Sequence, residues 1–493
     1  MAFYRCNVCN VFEYDPARGN SLTGIRPGTE PQDFPDDWRC PICSSDKTHL
    51  IPLPVPAATA RHEIPCPTCG ASISVSVAPL PVEVTPRYLA AWARPADDLE
   101  VYMADIHTMA ATGESIMEPM RTKKPVISWD DILIKGAQIA KIPRNSTVPV
   151  NTRTVIGPRA SRPLVIETPV FVTHMSYGAL SAEVKIALAK GSAAAKTAIG
   201  GGEGGIFPEE KQSAYRYIFE YVPNRYSVSG ENLRSSDAIE IKIGQSAEPG
   251  MGGRLPAEKV TAAIAAMRGY PEGEDILSPA SFEDINNQDE LKAKIRWLRD
   301  ASGGRPVGVK IAAGAVEEDL EAILYAGPDF ITLDGRPGAT AAALKYIKAA
   351  TSVPTIFALY RARKYLDGHG GKDISLVITG GLRVSSDFAK ALALGADAIA
   401  IGTAALMACA CQQYRMCHTG LCPVGVTTQA PELRKRLQSD ISAQQLEHFL
   451  RVSTEELKDF ARLTGNNDVH ALGIRDLCTT SSEISGHTEI PHV

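Results

Sequence analysis

From about residue 165 onward the chain repeats one pattern. Short continuous apolar runs, Leu164–Val172, Ala238–Ile243, Val307–Ala312, Phe330–Leu333, Leu376–Thr379 and Ala398–Ile401, are bounded by glycine or polar residues. Between them lie stretches with helical spacing: Ala179–Lys196, Pro256–Met267, Gln288–Asp300, Glu317–Tyr325 and Ser385–Leu394. A run that is apolar at every position is buried on both faces, which marks a parallel strand covered by helices. Six or more such units over ~250 residues fit an α/β fold of the (β/α)8 TIM-type barrel class better than one doubly wound sheet.

In such a barrel the strand C-termini build the site. The candidates there are Lys242 and Gln245 after one run, Lys310 on the next, and the ends Thr379-Gly380-Gly381 and Ile401-Gly402-Thr403 on the last two. Glycine-bearing ends on consecutive final strands let backbone N–H groups approach a phosphate. Either one alone reads as an ordinary strand-to-helix turn; the pair, ending consecutive strands, points to phosphate. Lys242 and Lys310 are costly to bury without an anionic partner; each is also compatible with a solvated or salt-bridged place at the rim.

The first 110 residues follow a different pattern, set by cysteine instead of apolar period. Six of the chain's 11 cysteines lie there: the pairs Cys6/Cys9, Cys40/Cys43 and Cys66/Cys69. Two Cys-x-x-Cys knuckles bring four thiolates to one ion and suit either Zn or Fe. Such a site folds a ~50-residue piece that lacks a large core. The third knuckle, with His62 upstream, has no second pair near it and is compatible with a metal site or with free thiols. Residues 51–60 read as a Pro-rich linker. Cys411, Cys417 and Cys422 form a second constellation, three thiolates that suit a three-iron cluster or a site with an outside ligand; Cys409 is expected as a buried small residue. The expected organisation is a metal domain over 1–50, a linker with a knuckle over 51–110, the barrel over 111–440 and a helical C-terminal tail over 441–493.

Composition narrows the classes. An apolar share of 44% and a charged share of 22% are those of a globular chain, and a net charge of −5 gives no pull toward nucleic acid or anionic membrane. No window is apolar enough to span a bilayer, and the start lacks a signal-peptide core, so a cytoplasmic protein is expected. An odd cysteine count in that setting argues for metal or redox chemistry over disulfides.

The wording around the knuckles is specific. Tyr4-Arg5-Cys6-Asn7-Val8-Cys9, Tyr14-Asp15-Pro16, Gly24 to Thr29 and Phe34-Pro35-Asp36-Asp37-Trp38-Arg39-Cys40-Pro41-Ile42-Cys43 closely resemble rubredoxin over residues 3–50. The resemblance implies one iron on Cys6, Cys9, Cys40 and Cys43, zinc being the alternative, beside an aromatic core of Tyr4, Tyr14, Phe34 and Trp38. The glycine usual after each knuckle is Asn10 and Ser44 here, and Ser44 is the less comfortable in a left-handed conformation.

Four further motifs stand in order: Phe171 to Ser181, Gly202-Glu203-Gly204-Gly205, Ile241-Lys242-Ile243-Gly244-Gln245-Ser246-Ala247-Glu248-Pro249-Gly250, and Cys417 to Gln429. Together they resemble the synthase domain of glutamate synthase over about residues 125–440. The resemblance implies an FMN-bearing barrel, a 3Fe-4S cluster on Cys411, Cys417 and Cys422, and reduction of an imine formed from a 2-oxo acid and ammonia or an amine. It places Ser176, Lys242 and Lys310 near the flavin, Gly380-Gly381 and Gly402-Thr403 at its phosphate, and Glu203, Gln245 and Arg268 near the substrate, with Gln245 also within reach of the cofactor. Glu203 is the candidate for proton handling, provided burial raises its pKa; it equally suits fixing FMN or a substrate amine.

Three departures fall in the substrate part. Glu248 stands where the family has lysine, Ser281-Phe282-Glu283-Asp284 replaces Pro-His-His-Asp, and Gly338-Ala339-Thr340-Ala341-Ala342 replaces Gly-Gly-Thr-Gly-Ala. Either the substrate has changed, or Glu248 faces away and Arg268 or Arg336 supplies the missing charge. The family's glutaminase and glycine-repeat domains have no counterpart, so free ammonia, an amine or separate subunits are expected to fill that role. An external donor feeds the rubredoxin-like iron in this reading. In the alternative, the chain is an electron-transfer subunit of a larger synthase with no imine chemistry of its own.

Overall fold

The computed structural model describes residues 3–9, 12–53, 61–65, 72–76, 94 and 97–493 of the chain. Two compact units result, Met1–Ile116 and Met117–Val493. The Cys66/Cys69 knuckle, Asn10 and most of the Pro-rich stretch lie outside the described residues.

In the first unit, Tyr4–Cys6 pairs antiparallel with Glu13–Tyr14 on one side and Leu50–Pro52 on the other. The little core beside the knuckles is Phe12, Tyr14, Phe34 and Trp38, with Tyr14 edge-on to Phe34 at 4.8 Å. Tyr4 belongs to it only in part: its ring is half-buried because its hydroxyl reaches out to donate to Glu30 at 2.8 Å. Phe12 fills the place expected of it. Ser44 adopts φ +60°, the left-handed conformation that glycine would take without strain.

The second unit is a closed barrel of eight parallel strands in sequence order. They are β1 (Val170–Val172), β2 (Ala198–Gly200), β3 (Arg216–Tyr221), β4 (Ala238–Lys242), β5 (Val307–Ala312), β6 (Phe330–Asp334), β7 (Ser375–Thr379) and β8 (Ala398–Ile401). The last closes on the first through Val170↔Ile399 and Val172↔Ile401. The covering helices include α1 (Ala182–Ala194), α2 (Gln288–Ala301), α3 (Val316–Ala326), α4 (Thr355–Gly368), α5 (Ser385–Ala393), α6 (Thr403–Cys409) and α7 (Ser439–Leu463).

The apolar run Leu164–Val172 is two strands, not one. Leu164–Ile166 turns back on Thr154–Ile156 as a hairpin, and Glu167-Thr168-Pro169 separates it from β1. Ile156, Leu164 and Ile166 plug the lower end of the barrel against Phe171, Ala198, Ile218, Ala238 and Phe330. β2 and β3 escaped the apolar-run criterion, β2 because it is three residues long and β3 because it carries Arg216 and Glu220. The segment expected as a helix over Pro256–Met267 is a short turn at Ala257–Lys259 followed by a helix over Ala262–Arg268. Within the segment expected as a helical C-terminal tail, α7 is a helix packed on the barrel's own helices. α7 packs along α1 so closely that a Cβ on Gly191 would lie 2.7 Å from the Ala443 carbonyl, and Leu477–Thr479 pairs with Ile132–Ile134.

Candidate active site

Above the apolar plug the barrel interior turns polar. Side chains alternate along a strand, so β4 sends Ala238 into the plug and then Glu240 and Lys242 inward above it. β3 likewise adds Glu220, β5 Lys310, and β6 Thr332 and Asp334. Lys242 and Lys310 are register partners. The His174 Nε2 lies 3.1 Å from Glu240 Oε1, Lys310 Nζ lies 3.6 Å from Glu220 Oε1, and Thr332 donates to the other oxygen of Glu240.

These groups floor one cavity at the strand C-termini. Its wall holds the positions expected near the flavin and the substrate: Ser176, Glu203, Lys242, Gln245, Glu248, Arg268 and Lys310, with Gly380-Gly381 after β7 and Gly402-Thr403 after β8. Arg336 is not part of that wall; its guanidinium donates to the Ala349 carbonyl at 3.1 Å. Of the changed stretch 281–284, none lines the cavity: Phe282 stacks on Tyr221 at 5.6 Å, and Asp284 pairs with Arg225 and Lys294. Gly338, Ala339, Thr340 and Ala341 do line it.

Local conformation explains the loops. Gly202 has φ +92°, and a Cβ there would fall 2.4 Å from the Met175 carbonyl carbon, so the loops after β1 and β2 touch only because this residue is glycine. Lys185 on α1 ties the same loops together by donating to the Met175 and Gly201 carbonyls while pairing with Glu210. Gly380 (φ +109°) and Gly381 (φ +93°) leave no room for side chains against Gly335 and Pro337.

The ionisation pattern follows from counting partners. Five acids, Glu203, Glu220, Glu240, Glu248 and Asp334, face the interior with Lys242, Lys310 and the His174 imidazole. Burial raises all five. For Glu203 the Lys242 ammonium, 2.5 Å away, more than offsets it, and the net shift is downward. Glu220 and Glu240 are likewise held down, by His174 and the lysines, against the upward push of burial. Glu248 and Asp334 are left on the raised side: burial lifts Glu248 to about 8 and outweighs Lys242 and the hydrogen bond from Gln245. Burial alone would depress Lys242, yet Glu203, Glu220 and Glu248 reverse that and its pKa rises. Glu203 is therefore a fixed anion holding a cation, not the raised acid that proton delivery at this position requires. Glu248 faces the cavity, 6% exposed, and does not point away.

The thiols fall into two arrangements. In the first unit the four cysteines of the knuckles lie within 4.8 Å of one another, with Cys6–Cys43 at 3.6 Å and Cys9–Cys40 at 3.9 Å. Sulfurs about 3.8 Å apart are the edge of a tetrahedron with ~2.3 Å metal–sulfur bonds, so the set fits one ion. Cys411, Cys417 and Cys422 feel one another's charge but do not form so tight a group. Cys417 also lines the cavity, and the buried Lys259 ammonium donates to its carbonyl. Cys409 is a core residue, as expected.

Sequence reasoning gave no role to His174, Glu220, Glu240, Asp334 or Arg383, all of which the fold brings to the site. The alternation in Ala238-Ile239-Glu240-Ile241-Lys242 was the available signal. Arg383, two residues past the Gly380-Gly381 end, adds a cation to the cavity wall there.

A (β/α)8 barrel with an ionic floor at its mouth, in one chain with a four-cysteine rubredoxin domain at residues 3–50, belongs to the oxidoreductases. Residues 127–467 match the conserved region in glutamate synthase, and the chain belongs to the glutamate synthase family. A glutamate synthase large subunit-like protein of Rhizobium meliloti is 36% identical over 79% of this chain and 92% of its own length. An archaeal glutamate synthase (NADPH) of Methanocaldococcus jannaschii is 36% identical over 76% of this chain and 79% of its own. A mandelate oxidase crystal structure superposes with a TM-score of 0.47 at 21% identity, covering 71% of this chain and 88% of that one.

Proposed function

We propose that the barrel binds FMN and reduces an imine formed from a 2-oxo acid and ammonia or an amine, with electrons arriving through the rubredoxin domain and a 3Fe-4S cluster on Cys411, Cys417 and Cys422. The observation that carries this reading is the position of Cys417, which belongs at once to the thiolate loop and to the wall of the cavity lined by Lys242, Lys310 and the Gly380-Gly381 end. The donor set suits a flavin phosphate, with glycine backbone at the ends of β7 and β8 and Arg383 beside them. When bound, FMN supplies the two-electron chemistry and the protein supplies orientation and charge.

The chain's own residues have distinct tasks in this reading. Lys242 and Lys310 offer cations to the anionic edge of the cofactor, and Glu203 keeps Lys242 charged and aimed. Arg268 is spent on backbone: it donates to the Tyr177 carbonyl at 2.8 Å and to that of Glu203 at 3.3 Å, and so shapes the pocket as well as lining it. Gln245 positions Glu248. In the first unit the four thiolates take one iron. Ammonia comes free, as an amine, or from a separate glutamine-hydrolysing subunit, and the donor is external. No helix among the described residues is long and apolar enough to cross a membrane, which is compatible with a cytoplasmic location.

Anaerobic reoxidation of the photoreduced holoprotein tests the reading. Reoxidation that requires both a 2-oxo acid and ammonia or an amine supports it. Reduction that persists across a panel of such pairs overturns it in favour of an electron-transfer subunit.

A further inference from the structure

Two acids of the cavity wall ion-pair with no lysine or arginine among the described residues: Asp334, which accepts the Ser246 backbone N–H at 3.0 Å, and Glu248. Lys242 is taken by Glu203 at 2.5 Å, Arg268 by backbone carbonyls, and Arg254 by Asp275. Glu248 receives only the amide of Gln245, and no lysine or arginine among the described residues ion-pairs with it. A second carboxylate seated there would at best share the one proton of Glu248, beside the Glu203 anion and with the neighbouring Lys242 ammonium already paired. A protonated amine would meet an acceptor already aimed by Gln245 and enclosed by the wall.

We propose that Glu248 is the specificity residue of this pocket, and that the substrate group it receives is a protonated amine instead of a carboxylate. The inference rests on the cavity being the substrate site of the proposed reductase. The charged groups acting on Glu248 are Lys242 at the end of β4 and Glu203 in the loop after β2. Burial pushes the Glu248 carboxyl up to about 8, so until a cation is seated beside it the group carries its proton at pH 7. Seating an ammonium ionises it, so the carboxyl proton leaves to solvent as the ion pair forms. Binding of a cation is thus coupled to release of close to one proton, and tightens as pH rises toward 8.

A matched pair of probes reads this directly: 5-aminopentanoate, with one ammonium and one carboxylate, and glutarate, with two carboxylates. Each is titrated calorimetrically into the full-length protein at pH 7 in PIPES and in Tris, whose different ionisation heats report proton release. The expected result is 5-aminopentanoate binding at least tenfold tighter than glutarate with near-stoichiometric proton release. E248Q is expected to abolish the release and shrink the preference to within about threefold, and E248K to invert it. Glutarate binding as tightly on the unaltered protein, binding of neither probe, or a preference unchanged in E248Q overturns the proposal; the comparison on the unaltered protein stands even if a variant misfolds. The reading beneath it fails separately. Ammonium preference without flavin reoxidation by any imine-forming pair would leave the Glu248 assignment and remove the reductase. Reoxidation by 2-oxoglutarate and ammonia with glutarate preferred would do the reverse.

Discussion

The two units of this chain hold themselves together by opposite means. The rubredoxin domain has four buried aromatics and a single clasp, four sulfurs within 4.8 Å. The barrel closes its own sheet, plugs its lower end with Ile156, Leu164 and Ile166, and can therefore tolerate a floor of charged residues above the plug. A small core needs an outside cross-link; a large one has stability to spend on burying ions that a site can use.

The widest expected difference is in metal dependence. Removing the metal, or replacing Cys9 or Cys40 with serine, should unfold residues 3–50 while leaving the barrel's transition unchanged. Limited proteolysis with metal analysis checks this, and a protease-resistant metal-free first domain would break the contrast. Next in size is the barrel's ionic floor. Glu203→Gln removes the nearest partner of the Lys242 ammonium and should cost up to ~3–5 kcal/mol, as removing one partner of a buried pair does, less what Glu220 and Glu248 restore. Adding Lys242→Met to it should recover much of that loss in urea unfolding.

The pH dependence is smaller and has a definite sign. Glu248 lies near 8 in the folded barrel against an ordinary 4.5, so between those values the native state holds a proton that the unfolded chain has released. Its contribution to stability is full below pH 4.5 and fades as pH rises to 8, at no more than ~1.4 kcal/mol per pH unit. Glu210, raised by burial to about 7, acts in the same direction. Glu248→Gln should therefore lessen the decline in urea midpoint from pH 5 to 8 without erasing it; an unchanged slope would mean the acid is not held neutral. The smallest effect is local: Ser44→Gly removes a side chain from φ +60° and should stabilise the metal-bound first domain by ~0.5–1 kcal/mol, net of the added freedom of the unfolded chain. Thermal unfolding of the metal-bound domain measures it.

Much of the plan was readable from residue order alone. The thiolate clasp is a matter of two short knuckles, and the Gly380-Gly381 and Gly402-Thr403 ends follow from strands that are apolar throughout. β3 was not readable, because Arg216 and Glu220 break its apolar run, and the strand holds Glu220 only because Lys310 from β5 and His174 from the loop after β1 meet it inside the barrel. α7 has a helical sequence, but nothing in it announces that Gly191 on α1 leaves room for its backbone.

The sequence by itself determined which chemical groups this protein owns: the two knuckles, the three-cysteine loop, the lysines at strand ends and an acid at position 248. Those properties are local, set by covalent spacing and by the two- and 3.6-residue periods of strand and helix. Only the tertiary structure decided how the groups are charged. Glu203 and Glu248 are the same side chain, both buried and both on one cavity wall. One is held ionised by an ammonium 2.5 Å away, and the other is driven toward neutrality by burial, which the same ammonium, paired with Glu203, does not offset. Desolvation and the arrival of partners from other strands set the difference, and neither exists until the barrel closes.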